Sequence, residues 1–272
     1  MKKYLKKATA NPVLTAALLI VAVVLCITLF GTVLAPHDPL HTDMNLRLAP
    51  PSWTYPLGND TLGRCLLSRI LAGAHISVGL SLAVVAVSCL LGLSVGLSSG
   101  YSGGIADEGL MRLTDIFFSF PEVIAAMTVA GLMGPGTVNM ILALSSVSWM
   151  RYARLVRGIT LSVKERDYVA AARISGVSGI RIVLRHILPA CLPSVIVLAT
   201  IGLAKAILAV SALGFLGFGA QPPTPEWGTL LMEGKDFILS APHLSLYPGI
   251  AIMLTALAFN LTGDGLRDRY QG

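Results

Sequence analysis

The stretch that decides the fold is ISVGLSLAVVAVSCLLGLSVGLSS, residues 76–99, which carries no charged side chain over 24 residues. An α-helix rises about 1.5 Å per residue, so about 20 apolar residues cross the hydrocarbon core of a bilayer. The stretch therefore predicts a membrane-spanning helix. Gly92, Gly96 and Gly100 follow one another at a spacing of four. Small residues four apart form a flat stripe that lets a second helix approach closely, so we expect this span to pack within a bundle.

Five further apolar runs share the length that a bilayer requires, although the last is short. They are residues 13–35, 116–133, 138–156, 192–216 and 246–261. A secretory signal peptide is the competing interpretation of the first run, but that run is too long for the apolar part of such a peptide. The sequence therefore predicts an all-α integral membrane protein with six transmembrane helices.

Composition excludes several classes of protein. Of the 272 residues, 54% are apolar and 12% are charged, and the mean hydropathy is +0.75. A soluble domain carries about a quarter charged residues, so disorder, a coiled coil and an ordinary nucleic-acid-binding domain are excluded. A soluble enzyme is disfavoured, because this much apolar surface cannot be hidden from water in a chain of this size. Lipid is the expected solvent.

Lysine and arginine are unevenly distributed between the predicted loops. With the N-terminus inside, fifteen of the 20 basic residues fall on the cytoplasmic side, four fall outside, and Lys205 falls within the fifth span. Eight of the inner fifteen lie between Arg151 and Arg185. The inner group also includes four residues of the N-terminal tail, Lys2, Lys3, Lys6 and Lys7. Because cytoplasmic loops are rich in Lys and Arg, this split predicts that both termini are cytoplasmic.

The longest predicted cytoplasmic loop has the pattern of a helix, a turn and a second helix. Its centre, DYVAAARISG, covers residues 167–176, and three consecutive alanines favour a helix there. Gly176 permits a tight turn. Apolar residues then recur at helical spacing over residues 180–188, so we expect a second short helix that Pro189 closes. A loop that served only topology would need positive charge but no small-residue helix.

This loop resembles the EAA loop of ABC-importer permeases. AARISG ends at Gly176, and Ile-Leu-Pro follows after ten intervening residues. The resemblance implies that residues 157–189 form the coupling loop that docks into a cleft of the ATPase subunit. The family's opening Glu is Ala170 here. Docking is therefore expected from the shape of the loop, and no specific ionic contact is expected at this position. The implied coupling residues are Ala170, Ala171, Ala172, Gly176, Ile187, Leu188 and Pro189.

Three other stretches are similar to the dipeptide, oligopeptide and nickel branch of that family. They are LGNDTLGRCLLSR (57–69), FLGFGAQPPTPEWG (215–228) and FNLTGDGLRD (259–268). The family's usual acid after the Gly-Arg pair is Cys65 here, and its usual later Arg is His75. The resemblance covers about residues 12–270 and implies a C-type permease subunit with the type I ABC-importer permease fold. It implies a tail, first helix and external segment over residues 1–74, and a core permease domain over residues 75–272.

The resemblance also implies a function and a set of partners. The chain would be a subunit of an ATP-driven importer in the bacterial inner membrane for nickel, a metal chelate or short peptides. It would form half of the translocation path beside a homologous B-type permease, with two ABC ATPase subunits and an extracytoplasmic substrate-binding protein. ATP and Mg²⁺ would belong to the ATPases, and this chain would hold no cofactor or metal, bind no nucleic acid and catalyse no reaction. In that family, members of the peptide branch often carry Glu near the position of Val210. Its absence here slightly favours nickel or a metal chelate as the substrate.

Two ionisable residues are candidates for the path or a subunit interface. Lys205 lies about 16 Å from Leu216 along the fifth span, too far to snorkel, and an unpaired charge there costs about 3 kcal/mol. It is expected to face the bundle interior, a partner subunit or a watery path, and a buried structural role is the alternative. Glu122 follows Pro121 at the inner end of the third span, where the helix N-terminus favours an acid. Substrate contact is the other interpretation of Glu122.

Other functional classes have less support. The chain contains no GxxxxGK[ST] motif, so it does not hydrolyse ATP by itself. An ion-gradient-driven secondary transporter would need coupling-ion residues and usually an internal repeat, and the sequence has neither in clear form. A non-transporting scaffold subunit is a further alternative. The tryptophans Trp53, Trp149 and Trp227 fall near predicted membrane interfaces, where such residues are common.

Overall fold

The computed structural model describes residues 12–271 of the chain, and all regular structure within them is helical. The four tail lysines that entered the topology prediction lie outside this range. The long helices are α1 (Pro12–Leu34), α2 (Leu66–Ser102), α3 (Gly104–Phe118), α4 (Glu122–Met133), α5 (Thr137–Lys164), α8 (Leu188–Phe215) and α10 (His243–Gln271). The short ones are α6 (Asp167–Ile174), α7 (Gly179–Ile182) and α9 (Trp227–Gly234).

Within residues 12–271, four uninterrupted helical segments are long and apolar enough to cross a membrane. They are Leu14–Leu34, Leu66–Ser102, Gly179–Phe215 and His243–Arg269. The pair α3 and α4 passes the same test as one broken segment, bent by 90°. The all-α class is therefore confirmed with four spans, or five if the bent pair is one span. The boundary proposed between residues 74 and 75 falls inside α2, and the division into two segments stays a prediction.

The third predicted span is not one helix. The apolar run of residues 116–133 is interrupted because α3 ends at Phe118 and α4 begins at Glu122. Proline has no N–H to donate, and it disfavours the helical conformation of the residue before it. Pro121 therefore terminates α3 a few residues before the proline, and a new helix starts directly after it at Glu122. A mainly apolar run predicts a membrane segment but does not by itself predict that the segment is one continuous helix.

The prediction that the second short helix ends at Pro189 is also wrong. After α7 the chain makes a π-helical turn, Val183–Ile187, and continues without a break into α8. Pro189 lies in the first turn of α8, where a missing N–H is tolerated. The wider π turn before it leaves the chain free to bend around the proline ring. The segment after the turn is therefore the beginning of a long helix.

The glycine stripe of α2 packs as predicted. A Cβ at Gly96 would lie 2.6 Å from the carbonyl oxygen of Ala153, and one at Gly100 would lie 2.7 Å from Cβ of Thr160. A Cβ at Gly92 would collide with Tyr152. All three neighbours belong to α5, so α2 and α5 meet backbone to backbone along the stripe. This contact fixes the frame on which the remaining helices pack.

Candidate functional site

The coupling segment, residues 167–189, has one buried and one exposed face. Val169 on α6 is completely buried in a cluster with Val156, Val163 and Ile187. Ala170 and Ala171 on the opposite side of α6 are exposed, and Ala172 is half-buried. The helix is therefore anchored to the bundle through its back while its small side chains point outward.

The exposed end of α6 is closed by a tight glycine turn. Gly176 has a φ of +77°, which glycine adopts without the strain that other residues meet. Its N–H donates to the carbonyl of Arg173 at 3.1 Å, and the N–H of Val177 donates to the carbonyl of Ala172 at 3.1 Å. These are the two hydrogen bonds of a Schellman motif. An added Cβ at Gly176 would meet no heavy atom within 4 Å, so the backbone and not the space requires glycine.

Large apolar side chains on α6 and on the segment that follows its turn are exposed, a feature that the sequence pattern did not predict. Ile174 is 88% exposed, and Ile180, Leu184 and Tyr168 are also exposed. Tyr168 and Ile174 lie on α6, outside the segments that are long enough to cross a membrane, and exposed apolar side chains there indicate an interaction site. The signal was present in the sequence, because isoleucines within a strongly basic loop are not needed for topology. The tip is suited to a groove on another protein.

The remaining coupling residues do not lie at the tip. Ile187 is completely buried in the apolar cluster beneath α6, Leu188 is half-buried, and Pro189 is exposed at the start of α8. Their geometry suits an anchor that connects the tip to the long helix. Their role in coupling stays a prediction.

Three arginines that the topology prediction counted as loop charges are engaged in a ladder of ion pairs. Arg157 contacts Asp107 with distances of 2.6 and 2.7 Å, and Arg154 contacts Asp115 at 2.5 Å. Arg151 contacts Glu122. The arginines recur every three residues along α5, and their partners lie on α3 and α4. This ladder, which joins residues 29 to 50 positions apart, holds the bent pair against α5.

A cavity of about 430 Å³ opens between α2, α4, α5 and α8. It brings together the two ionisable candidates, Lys205 and Glu122, which lie far apart in sequence. Arg151 and Ser148 line the same cavity, and the Ser148 hydroxyl donates to the Glu122 carboxylate at 3.0 Å. The rest of the lining is mainly apolar. Glu122 is therefore engaged by two side chains of α5 as well as placed in the first turn of α4.

Lys205 differs from the other charges of the cavity. Among the described residues 12–271 its ammonium has no hydrogen bond or ion pair, and Lys205 lines the cavity while remaining exposed. The nearby charge that acts on it is the positive guanidinium of Arg151. The cavity thus contains two cations and one acid, and the acid is already paired. The same described residues contain no cluster of three or more His, Cys, Asp or Glu side chains that could hold a metal ion.

On the opposite side of the bundle from the coupling segment, three charged residues of the motif at 57–69 form a buried ionic cluster with Glu233 of α9. Arg69 is completely buried and contacts Asp60 at 2.6 Å and Glu233 at 2.5 Å. Arg64 contacts the same two acids at 2.7 and 3.1 Å. Two arginines and two carboxylates therefore join the loop before α2 and the first turn of α2 to the short helix α9.

Glu226 is a second buried anchor next to this cluster. Its carboxylate accepts hydrogen bonds from the N–H groups of Gly228 and Thr229 at 2.8 and 2.9 Å, and from the Ser77 hydroxyl at 3.1 Å. Burial raises the pKa of the Glu226 carboxyl, and these hydrogen bonds oppose that rise. Trp227 is 3% exposed, and its indole N–H donates to the carbonyl of Ile70 at 3.0 Å. Trp227 is therefore a packing residue and does not face lipid as a member of an aromatic belt would, whereas its position near the membrane interface stays a prediction.

Known transport proteins share the sequence and fold of this chain. Residues 92–271 match the family described as binding-protein-dependent transport system inner membrane component. A methionine ABC transporter, MetNI, in an inward-facing conformation aligns with a TM-score of 0.52 and 20% identity. That alignment covers 71% of this chain and 94% of the other. At this identity the likeness shows a shared fold.

Curated relatives match almost the whole chain. A di/tripeptide transport system permease protein of Pseudomonas aeruginosa is 39% identical, over 98% of this chain and 90% of that protein. A nickel transport system permease protein of Escherichia coli is 37% identical, over 93% of this chain and 91% of that protein. A glutathione transport system permease protein of Pectobacterium atrosepticum is 39% identical, over 98% and 89%.

Proposed function

The chain belongs to the family of binding-protein-dependent transport system inner membrane components, and we propose that it forms half of a translocation path. It is a multi-pass inner-membrane permease subunit of an ABC importer, and it is not itself an enzyme, because ATP hydrolysis belongs to partner ATPases.

The proposed topology has six spans with both termini in the cytoplasm. Counting the bent pair α3 and α4 as one crossing and adding α5 to the four uninterrupted segments gives six. The arginines of α5 lower its apolarity, but Arg151, Arg154 and Arg157 are paired with acids, which lowers the cost of placing them near the membrane. The excess of basic residues on one side supports the orientation.

The observation that carries the coupling proposal is the exposed tip of α6. Two small side chains and a glycine turn project from the bundle, while the back of the same helix is buried against α5 through Val169. A groove in the ATPase would accept the alanines closely, and force on the tip would pass into the bundle through the buried face. ATP would drive the cycle through its different affinity for the two states of the complex.

The proposed complex contains a homologous B-type permease, two ABC ATPase subunits and an extracytoplasmic substrate-binding protein. ATP and Mg²⁺ would be bound by the ATPases. The substrate would be a short peptide, nickel or a metal chelate, because the relatives that match this chain are named for di/tripeptides, glutathione and nickel. Gradient-driven secondary transport is not favoured, because these relatives are permease subunits of ABC importers.

Reconstitution tests the proposal. The complete complex in proteoliposomes is expected to take up a labelled dipeptide or ⁶³Ni²⁺ only when ATP and the loaded binding protein are present. Collapsing the ion gradients with ionophores should leave that uptake unchanged. Uptake that needs an ion gradient and no ATP would overturn the proposal in favour of a secondary transporter.

A further inference from the structure

The cavity between α2, α4, α5 and α8 has a charge balance that packing does not explain. Arg151 is paired with Glu122, and Ser148 adds a hydrogen bond to the same carboxylate. The charges of Arg151 and Glu122 neutralise each other, so the positive charge of Lys205 on the cavity wall has no acidic partner among the described residues. The wall around it is apolar, with Val84, Val85 and other aliphatic side chains.

A surplus ammonium at this depth has a distinct energetic consequence. Lys205 lies in the middle of α8, ten residues before its end at Phe215, so its stem cannot carry the charge to the aqueous interface. The neighbouring Arg151 repels it, and the low-dielectric wall strengthens any interaction that it makes with an opposite charge. The position is therefore unfavourable when empty and favourable when an anionic group approaches.

We propose that Lys205 is a contact point for a carboxylate of the transported substrate. This inference rests on the proposed function, since it places the contact in the half-path that this chain contributes. An ammonium donates up to three charge-assisted hydrogen bonds to a carboxylate, whereas the already paired Arg151 sets the positive potential beside it. A cavity of about 430 Å³ is within the range of small-molecule sites.

Two substrate classes carry this chemistry. A short peptide presents its C-terminal carboxylate, and a metal chelate presents the free carboxylates of its organic ligand. Each can be compared with a probe of similar size without the carboxylate: trialanine with trialanine amide, and nickel citrate with nickel ethylenediamine. The pair whose carboxylate member is imported identifies the source.

The test uses the complete complex in proteoliposomes, with binding protein saturated by each probe. Lys205→Met removes the charge, Lys205→Arg keeps it, and Lys205→Glu reverses it. Lys235→Met is the matched control, because Lys235 is an exposed lysine outside the cavity. Since every variant is assayed with the same binding protein, the preference of that protein cancels when variants are compared with the parent.

The expected result is a selective loss. Lys205→Met should lower uptake of the carboxylate probe about tenfold relative to its carboxylate-free partner, and Lys205→Glu should lower it further. Lys205→Arg should retain most uptake, and Lys235→Met should match the parent. An equal fall for both members of the pair, or no fall, would overturn the inference.

The controls separate this inference from the proposed function. If Lys205→Met lowers uptake of both members and also loses the partner permease on purification, Lys205 contacts an acid of that partner, and the inference is wrong while the importer assignment stands. If the parent complex shows no ATP-dependent uptake of any of the four probes, the proposed function fails and the inference fails with it.

Discussion

Gly176 offers the sharpest perturbation of the coupling segment. Its φ of +77° lies in the left-handed region, and a Cβ there would meet no heavy atom within 4 Å. Gly176→Val therefore adds backbone strain without a steric clash inside the chain. A left-handed conformation costs an L-residue about 1–2 kcal/mol, and somewhat more when the residue is β-branched. The strain falls on the turn that holds the exposed alanines, so it should shift the tip away from its docked conformation.

The size of the expected effect follows from that strain. A penalty of about 1–2 kcal/mol changes an equilibrium about 5- to 30-fold, so the affinity for the ATPase subunits should fall by that factor. Gly176→Asn should have little effect, because asparagine adopts the left-handed conformation readily. The assay is titration of the purified permease pair with ATPase subunits, together with substrate-stimulated ATP hydrolysis.

A second glycine provides the matched control. Gly134 has a φ of +80°, and a Cβ there would also meet nothing within 4 Å, but it follows α4 at the end remote from the coupling segment. With a ψ of 173°, Gly134 lies in a region that almost only glycine adopts, so Gly134→Val should introduce at least as much strain and leave ATPase affinity unchanged. Equal affinity for the parent, Gly176→Val and Gly134→Val would refute the reasoning, because the geometry of the turn would then have no part in docking.

Two further predictions concern topology and packing. With the exposed Cys26 replaced, a membrane-impermeant thiol reagent should label Ser178→Cys only from the cytoplasmic side and Thr224→Cys only from outside; reversed accessibility would contradict the six-span topology. Gly96→Leu should destabilise the α2–α5 contact by about 1–3 kcal/mol through overpacking, seen as a lower melting temperature in detergent, whereas Gly79→Leu on the same helix should not, because a Cβ at Gly79 would meet nothing within 4 Å. Equal melting temperatures for the two variants would contradict the packing role of the stripe.

Local features of the sequence predicted much of the fold. Apolar runs predicted most of the long helices. The spacing of Gly92, Gly96 and Gly100 predicted close helix contact, and Gly176 predicted a turn after a small-residue helix. These features are recognisable because each depends on residues within a few positions. The bend before Glu122 also depends on a local residue, Pro121, but the length of the apolar run predicted a single helix.

The pairings of the candidate site could not be predicted, because they depend on how distant helices meet. The arginines of α5 looked like topological charges, and only the packing of α3 and α4 shows that Arg151, Arg154 and Arg157 each face an acid. The sequence could not show that the Trp227 indole N–H donates to the carbonyl of Ile70, because these residues are far apart in the chain. Lys205 and Glu122 lie far apart in the sequence, and they share a cavity because α4 and α8 both pack against α5.

Site-specific cross-linking tests the central claim most directly, namely that the tip of α6 docks on the ATPase. In the intact complex, a short bifunctional thiol reagent should join Ala171→Cys to an ATPase subunit that carries a cysteine in its docking cleft. Thr224→Cys, in the loop near α9, should give no such product. Efficient cross-linking from Ala171→Cys alone is the predicted result; no product from Ala171→Cys, or equal yields from both positions, would contradict the account.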